Sequence, residues 1–68
     1  MRKISKATIY LKDVNSSFVV ENFTSLKVSG DNTEPDKLVI SSTDNYVFEG
    51  EKDIIVINGA EIRAVRFE

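Results

Sequence analysis

Residues 7–13 read ATIYLKD, a stretch in which apolar and polar side chains alternate. Ala7, Ile9 and Leu11 would line one face of an extended segment, and Tyr10 and Lys12 would line the other. Alternation with period two is typical of a β-strand that is buried on one face and exposed on the opposite face. The stretch therefore predicts a surface strand, with Tyr10 and Lys12 facing outwards.

Further segments of this kind follow, separated by turn-forming residues. They are SFVVE (residues 17–21), KLVISST (37–43), NYVFEG (45–50) and DIIVI (53–57). The pairs Asp44-Asn45 and Asn58-Gly59 favour tight hairpins between the segments that flank them. Residues 29–36, SGDNTEPD, are rich in glycine, proline and turn formers, and they predict a surface loop. No apolar pattern of helical period persists along the chain, so the sequence predicts an all-β fold.

Two segments, FTSLKV (residues 23–28) and IRAVRF (62–67), share an apolar spacing that strict alternation does not produce. A bend or bulge at the front of each segment would let all of its apolar side chains face one core. Each segment follows a hairpin-like stretch, with DIIVI as an extra strand before the second. We therefore expect two degenerate copies of hairpin, bend and strand. The predicted fold is a single domain over residues 1–68, an SH3-like barrel or small β-sandwich of five to seven short antiparallel strands.

The aliphatic run at residues 54–57, IIVI, does not alternate. Such a strand is either covered on both faces or has an outer face that meets another subunit. We expect an inward group composed of Phe18, Val20, Leu38, Ile40 and either Val47 or Phe48. Apolar residues left outside, Val19 among them, would form a patch of the kind that binds proteins. The predicted protein-binding residues are Tyr10, Val39, Tyr46, Ile54 and Val56.

The composition excludes several kinds of chemistry. The chain contains no cysteine and no histidine, which removes disulfides, thiolate zinc sites and the commonest catalytic base. The glycines are too far apart for a phosphate-binding loop, and residues 30–36 lack the ligand spacing of a calcium loop. We therefore predict no catalytic residues, no metal and no cofactor. The expected function is a non-catalytic protein-binding module that acts through a β face or edge, on itself or on another protein.

Charge is distributed unevenly along the chain. The net charge is −2, with an excess of cations in residues 1–28 and an excess of acids in residues 29–61. The acidic stretch 31–53 would steer the protein towards a basic partner. The alternative function is nucleic-acid binding, although a pI of about 5.0 and the absence of tryptophan do not favour it. The residues predicted for this alternative are Arg2, Lys3, Lys6, Tyr10, Lys12, Arg63 and Arg66.

No apolar run reaches the length of a signal peptide core or a membrane span, so a cytoplasmic, non-membrane protein is expected. The series ATIYLKD, ENFTSLKVSG, TDNYVFEG and AEIRAVRFE resembles small uncharacterised all-β proteins of Gram-positive bacteria and their phages. Those proteins often alternate hairpins with a bend-and-strand segment that ends in an Ile-x-Phe-like triplet. The resemblance implies an accessory phage or mobile-element protein that acts by binding, and it assigns no role to any individual residue.

Overall fold

A computed structural model describes residues 4–13 and 15–68 of the chain. Within these residues there are seven β-strands and two short 3-10 helices, η1 and η2. In chain order they are β1 (Lys6–Leu11), β2 (Ser17–Glu21), β3 (Phe23–Val28), β4 (Asp31–Thr33), η1 (Pro35–Lys37), β5 (Asn45–Gly50), β6 (Ile54–Asn58), η2 (Gly59–Glu61) and β7 (Ile62–Phe67). The all-β prediction is confirmed.

The strands form two antiparallel sheets. Sheet A has the order β2-β1-β7, and sheet B has the order β4-β3-β5-β6. Both sheets are open, so the fold is closer to the predicted sandwich than to a closed barrel. The core between them consists of Ala7, Ile9, Val20, Leu26, Tyr46, Phe48 and Ile62, each of which is at most 1% exposed.

The predicted internal repeat is present in the strand topology. The strands β1, β2 and β3 correspond to β5, β6 and β7, because each hairpin sends its third strand into the sheet of the other copy. The strand register is the same in the two copies. Ile9 of β1 corresponds to Phe48 of β5, and their partners correspond as well: Ile9 pairs with Val65 in sheet A, and Phe48 pairs with Leu26 in sheet B. The second copy differs from the prediction, since its hairpin is β5–β6 and the inserted part is β4 with η1.

A bulge lies at the front of β3 and at the front of β7, as the apolar spacing predicts. The extra residue is Thr24 in β3 and Arg63 in β7, at the same place in the two copies. After each bulge the chain resumes alternation, so the apolar residues of both strands pack against one core. Two corners carry the chain between sheets: Asn22 with φ 54° after β2, and η2 after β6.

Two hairpin predictions were wrong, and the predicted surface loop contains a short strand. Residues 38–44 form no strand, so there is no hairpin at Asp44-Asn45. The predicted loop instead contains β4, joined to β3 through Ser29 and Gly30, whose φ values of 49° and 91° suit a tight hairpin turn. Asn58 accepts a hydrogen bond from the Ala60 backbone N–H at 2.8 Å and caps η2. That cap directs the chain out of sheet B, so Asn58-Gly59 makes no hairpin.

Tyr46 was predicted on the surface but is fully buried. Its ring stacks on Phe48 with centroids 6.5 Å apart. Its hydroxyl donates to the Val39 carbonyl oxygen at 2.7 Å and accepts from the Ser41 N–H at 2.7 Å. A tyrosine can be buried when its hydroxyl has partners. Through these two hydrogen bonds Tyr46 fixes the position of the connection between η1 and β5 at one end of the core.

Replacing Tyr46 with phenylalanine should lower the free energy of unfolding by about 1–3 kcal/mol, because the Val39 and Ser41 backbone groups lose their partner. Urea denaturation followed by circular dichroism measures this change. Tyr10→Phe is the matched control, since its hydroxyl lies on the outer face of sheet A, and we expect a change of about 0.5 kcal/mol or less. Equal losses in the two variants would contradict the assigned role of Tyr46.

Two of the inward predictions, Phe18 and Ile40, were only partly correct. Phe18 lies on the inner side of β2 opposite Ile9, yet it is 44% exposed because β2 is an edge strand. Ile40 is 36% exposed, and Leu38 is half-buried against the core. In β5 the alternation places Phe48 inside and Val47 on the outer face of sheet B.

Candidate protein-interaction site

The edge strands of the two sheets differ in how well they are protected against pairing with another chain. β4 has only three residues, and β7 carries Arg63, Arg66 and a bulge. Short length, charge and bulges are the usual features that prevent edge-to-edge association. β6 reads IIVIN, without charge or proline, and its register with β5 is unbroken. It is the least protected of these edges.

The main chain of β6 presents hydrogen-bonding groups at this edge. At its two ends, the Gly50 N–H donates to the Asp53 carbonyl at 2.8 Å, and the Gly59 N–H donates to the Asp44 carbonyl at 2.9 Å. Antiparallel pairing alternates, so between these bonds the main chain of every second residue of β6 faces β5. The N–H and C=O groups of Ile54 and Val56 therefore point away from β5, towards the open edge.

The side chains of the same two residues are also uncovered. Ile54 is 62% exposed and Val56 is 69% exposed. Ile55 and Ile57 lie on the opposite face, half-buried against the core, and hold the strand in place. The aliphatic run is therefore not covered on both faces, because one face packs on the core and the other is open. Ile54 and Val56 thus offer apolar side chains together with backbone groups that have no partner within residues 4–13 and 15–68.

The internal repeat provides a reference for this edge, because β2 occupies the equivalent place in sheet A. The register makes Ser17 the counterpart of Ile54, Val19 the counterpart of Val56, and Glu21 the counterpart of Asn58. The β2 edge is therefore polar at one position and charged at another where the β6 edge is apolar and neutral. The fold therefore does not require an aliphatic residue at the position of Ile54, whereas the position of Val56 is a valine in both copies.

The outer face of sheet B extends the apolar surface by one residue. Val47 is half-buried and pairs with Val56. On one side this strip is bounded by Glu49, whose Oε1 accepts from the Ser25 hydroxyl at 2.6 Å and lies 3.9 Å from the Lys27 Nζ. On the other side Asn58 Nδ2 donates to Asn45 Oδ1 at 3.0 Å. We name Val47, Ile54 and Val56 the β6 strip.

The predicted protein-binding residues are only partly brought together. Ile54 and Val56 lie on the β6 strip, but Tyr46 is in the core. Val39 is 75% exposed and lies in the connection that Tyr46 fastens, on the inward side of β5. Tyr10 lies on the outer face of sheet A. The sequence reasoning missed Val47, although its outward position follows from the polar neighbours Asn45 and Glu49 on the same face of the strand.

Four of the residues predicted for nucleic-acid binding lie in sheet A, namely Lys6, Tyr10, Arg63 and Arg66, but their charges and the tyrosine ring are partly engaged. Lys6 Nζ lies 3.5 Å from one Glu68 carboxylate oxygen, and Arg66 Nε lies 3.3 Å from the other. The Arg63 guanidinium carbon lies 5.7 Å from the Tyr10 ring centroid. Lys12 is exposed beyond the end of β1. Arg2 and Lys3 lie outside the described residues. The guanidinium group of Arg63 therefore occupies one face of the Tyr10 ring through a cation–π contact.

A shallow groove of about 260 Å³ lies between β3 and the segment of β4 and η1. It is lined by residues 23–26 and 32–35. Over residues 4–13 and 15–68, no three carboxylates come close enough to hold a metal ion. The helices in this part of the chain are too short to cross a membrane.

Comparisons of the chain with protein-family models, with curated proteins and with solved structures gave no match. The resemblance to small all-β proteins of Gram-positive bacteria and phages therefore stays a prediction.

Proposed function

We propose that this chain is a non-catalytic protein-binding module, and that β6 is the strand to which its partner adds. The carrying observation is that Ile54 and Val56 present exposed apolar side chains, and main-chain groups that pair with none of the described residues, on one uncharged edge. An extended segment placed beside such an edge gains backbone hydrogen bonds, while alternate side chains determine its specificity. A β-strand edge serves this purpose without a preformed cavity.

The expected affinity is modest. Complete burial of an isoleucine or valine side chain contributes about 1.5–3 kcal/mol, and the bonds along the strand add to it. Lost translational and rotational freedom offsets much of this gain. A contact limited to a five-residue strand and the β6 strip therefore fits a transient interaction better than a permanent complex. The partner is another protein, with a second copy of this chain as the competing possibility.

Val56→Lys should weaken binding at least about tenfold, because it places a charge on the edge and removes apolar contact. Peptides selected on the wild-type protein from a random phage-displayed library serve as the probe, and isothermal titration measures their affinity. Shift changes of the backbone amides in NMR spectra are expected along Ile54–Asn58.

Val39→Lys is the matched control, because it introduces the same change at a valine that is 75% exposed but lies off the sheet edge. Its affinity should stay within about twofold of wild type, and both variants should keep the wild-type melting temperature within a few degrees, as expected of surface changes. The proposal would be wrong if Val56→Lys bound as tightly as wild type, or if the amide shifts mapped to sheet A.

A further inference from the structure

We propose that the β6 edge accepts an extended segment in which alternating apolar residues are flanked by lysine or arginine. The inference rests on the proposed function and specifies the chemistry of its partner. The apolar requirement follows from the pairing geometry. Residues that hydrogen-bond directly across an antiparallel pair share a face. Partner residues bonded to Ile54 and Val56 would therefore lie beside the β6 strip, where apolar side chains extend it.

The basic requirement follows from the charges at the two ends of β6. Glu51 and Asp53 are exposed in the hairpin before Ile54, with Lys52 between them. At the other end Glu61 is exposed in η2, and Asp44 lies opposite Gly59, whose N–H donates to the Asp44 carbonyl at 2.9 Å. The nearby cation there is Lys12, whose N–H donates to the Glu61 carbonyl at 2.9 Å, so each end has two acids and one lysine. Neither end of the strand has a surplus of cations. The middle of the strand is uncharged, so the field favours a ligand with cations at its ends.

The distances suit a short segment. Five strand residues span about 17 Å at about 3.4 Å per residue. The Debye length at physiological salt is about 8 Å, so the carboxylates at each end act chiefly on the nearest ligand residues. A ligand that covers β6 and continues by two residues at each end would place a lysine near each acidic group.

The same charges disfavour a second copy of this chain. Antiparallel pairing of two β6 strands would bring Glu51 and Asp53 of one copy to Asp44 and Glu61 of the other. Parallel pairing would bring the equivalent acids together. Both arrangements place like charges side by side, which opposes association. A basic partner gains attraction at the positions where a second copy meets repulsion.

The test uses synthetic fluorescent peptides with a Val-Thr-Val-Thr-Val core and two lysines at each end. The threonine amides are N-methylated, so that one edge of the peptide cannot pair and the peptide does not self-associate. A second peptide has glutamates in place of the lysines. A third has methyl groups on the valine amides instead, which blocks the pairing edge. Fluorescence anisotropy on the full chain gives each dissociation constant at about 50 mM and about 500 mM salt.

The lysine-flanked peptide should bind at least about tenfold more tightly than the glutamate-flanked peptide at low salt, with the difference shrinking at high salt. The valine-methylated peptide should not bind. The double variant Glu51→Lys and Asp53→Lys should remove the preference for lysine. The control is the double variant Asp31→Lys and Asp36→Lys. It changes the net charge by the same amount at the opposite edge of sheet B, and it should keep the preference for the lysine-flanked peptide.

Other outcomes separate the inference from the proposed function. Equal binding of the two charged peptides, lost in Val56→Lys, would overturn the basic requirement and leave the proposed function standing. No peptide binding, together with dimers in sedimentation equilibrium that Val56→Lys dissociates, would replace the basic partner by a second copy. No peptide binding by a protein that stays monomeric, with no library peptide bound at β6, would overturn both.

Discussion

Phe48→Ala is expected to lower the free energy of unfolding at 25 °C by about 3–5 kcal/mol. Phe48 is fully buried between the sheets and stacks on Tyr46. Truncation of a buried phenylalanine costs about 3–5 kcal/mol, because apolar burial is lost and a cavity remains. At about 0.05–0.15 kcal/mol per residue, a domain of 68 residues has a total stability of about 3–10 kcal/mol. One substitution therefore removes a large fraction of it.

Phe18→Ala is the matched control for Phe48→Ala. The same side chain is removed, but Phe18 is 44% exposed at the edge of sheet A. We expect a loss of about half as much or less, since the surrounding water fills the space and less area was buried. Urea denaturation followed by circular dichroism compares the two variants with wild type. If Phe18→Ala lost more free energy of unfolding than Phe48→Ala, the assignment of Phe48 to the core between the sheets would be wrong.

Local pattern was enough to predict most strands and the faces of several of them. The alternation in β1 correctly placed Ala7 and Ile9 inside, because a shift by one residue would expose every apolar side chain of the strand. The bulges at Thr24 and Arg63 were also predictable. In both segments the apolar spacing indicates an extra residue, because the apolar side chains before and after that residue must face the same core.

Pairing between distant segments could not be predicted in the same way. The alternating segment at residues 45–50 could form a hairpin with the segment before it or with the segment after it. The dipeptide Asn58-Gly59 suits a tight hairpin, yet an asparagine side chain suits the cap of a 3-10 helix equally well. The outcome depends on whether pairing of β7 with β6 or with β1 is lower in free energy. The residues around Asn58-Gly59 do not determine this difference, because β1 is far away in the sequence.

The candidate site was half predictable for the same reason. The exposed positions of Ile54 and Val56 follow from the excess of aliphatic residues in a short strand. Their position at a sheet edge does not, because the order β4-β3-β5-β6 is set by contacts far apart in the chain. Tyr46 was misplaced although a signal was present: Tyr46 and Phe48 share one face, and Asn45 and Glu49 share the other.

Gly59→Ala is expected to destabilise the protein by an amount at or above the upper end of about 1–3 kcal/mol, the usual range for overpacking. Gly59 is buried in η2 where the chain leaves sheet B. A Cβ at this position would overlap the Ser41 carbonyl oxygen and would lie 2.9 Å from the Tyr46 ring carbon Cε2. Backbone atoms cannot rotate away, so the connection fastened by Tyr46 would have to move.

Two controls isolate this close approach from a general intolerance of the corner. Ala60→Ser changes the exposed neighbour of Gly59 and should be nearly neutral. Gly30→Ala meets no atom within 4 Å but has φ 91°, so it should cost about 1–2 kcal/mol through backbone strain alone. Thermal melts of the three variants should give Gly59→Ala the lowest melting temperature.

A double variant tests whether Gly59 and Tyr46 act together. If moving the connection already breaks the Tyr46 hydroxyl bonds, adding Tyr46→Phe to Gly59→Ala should cost less stability than the same change costs in wild type. Full additivity would mean that Gly59 and Tyr46 act on separate parts of the fold.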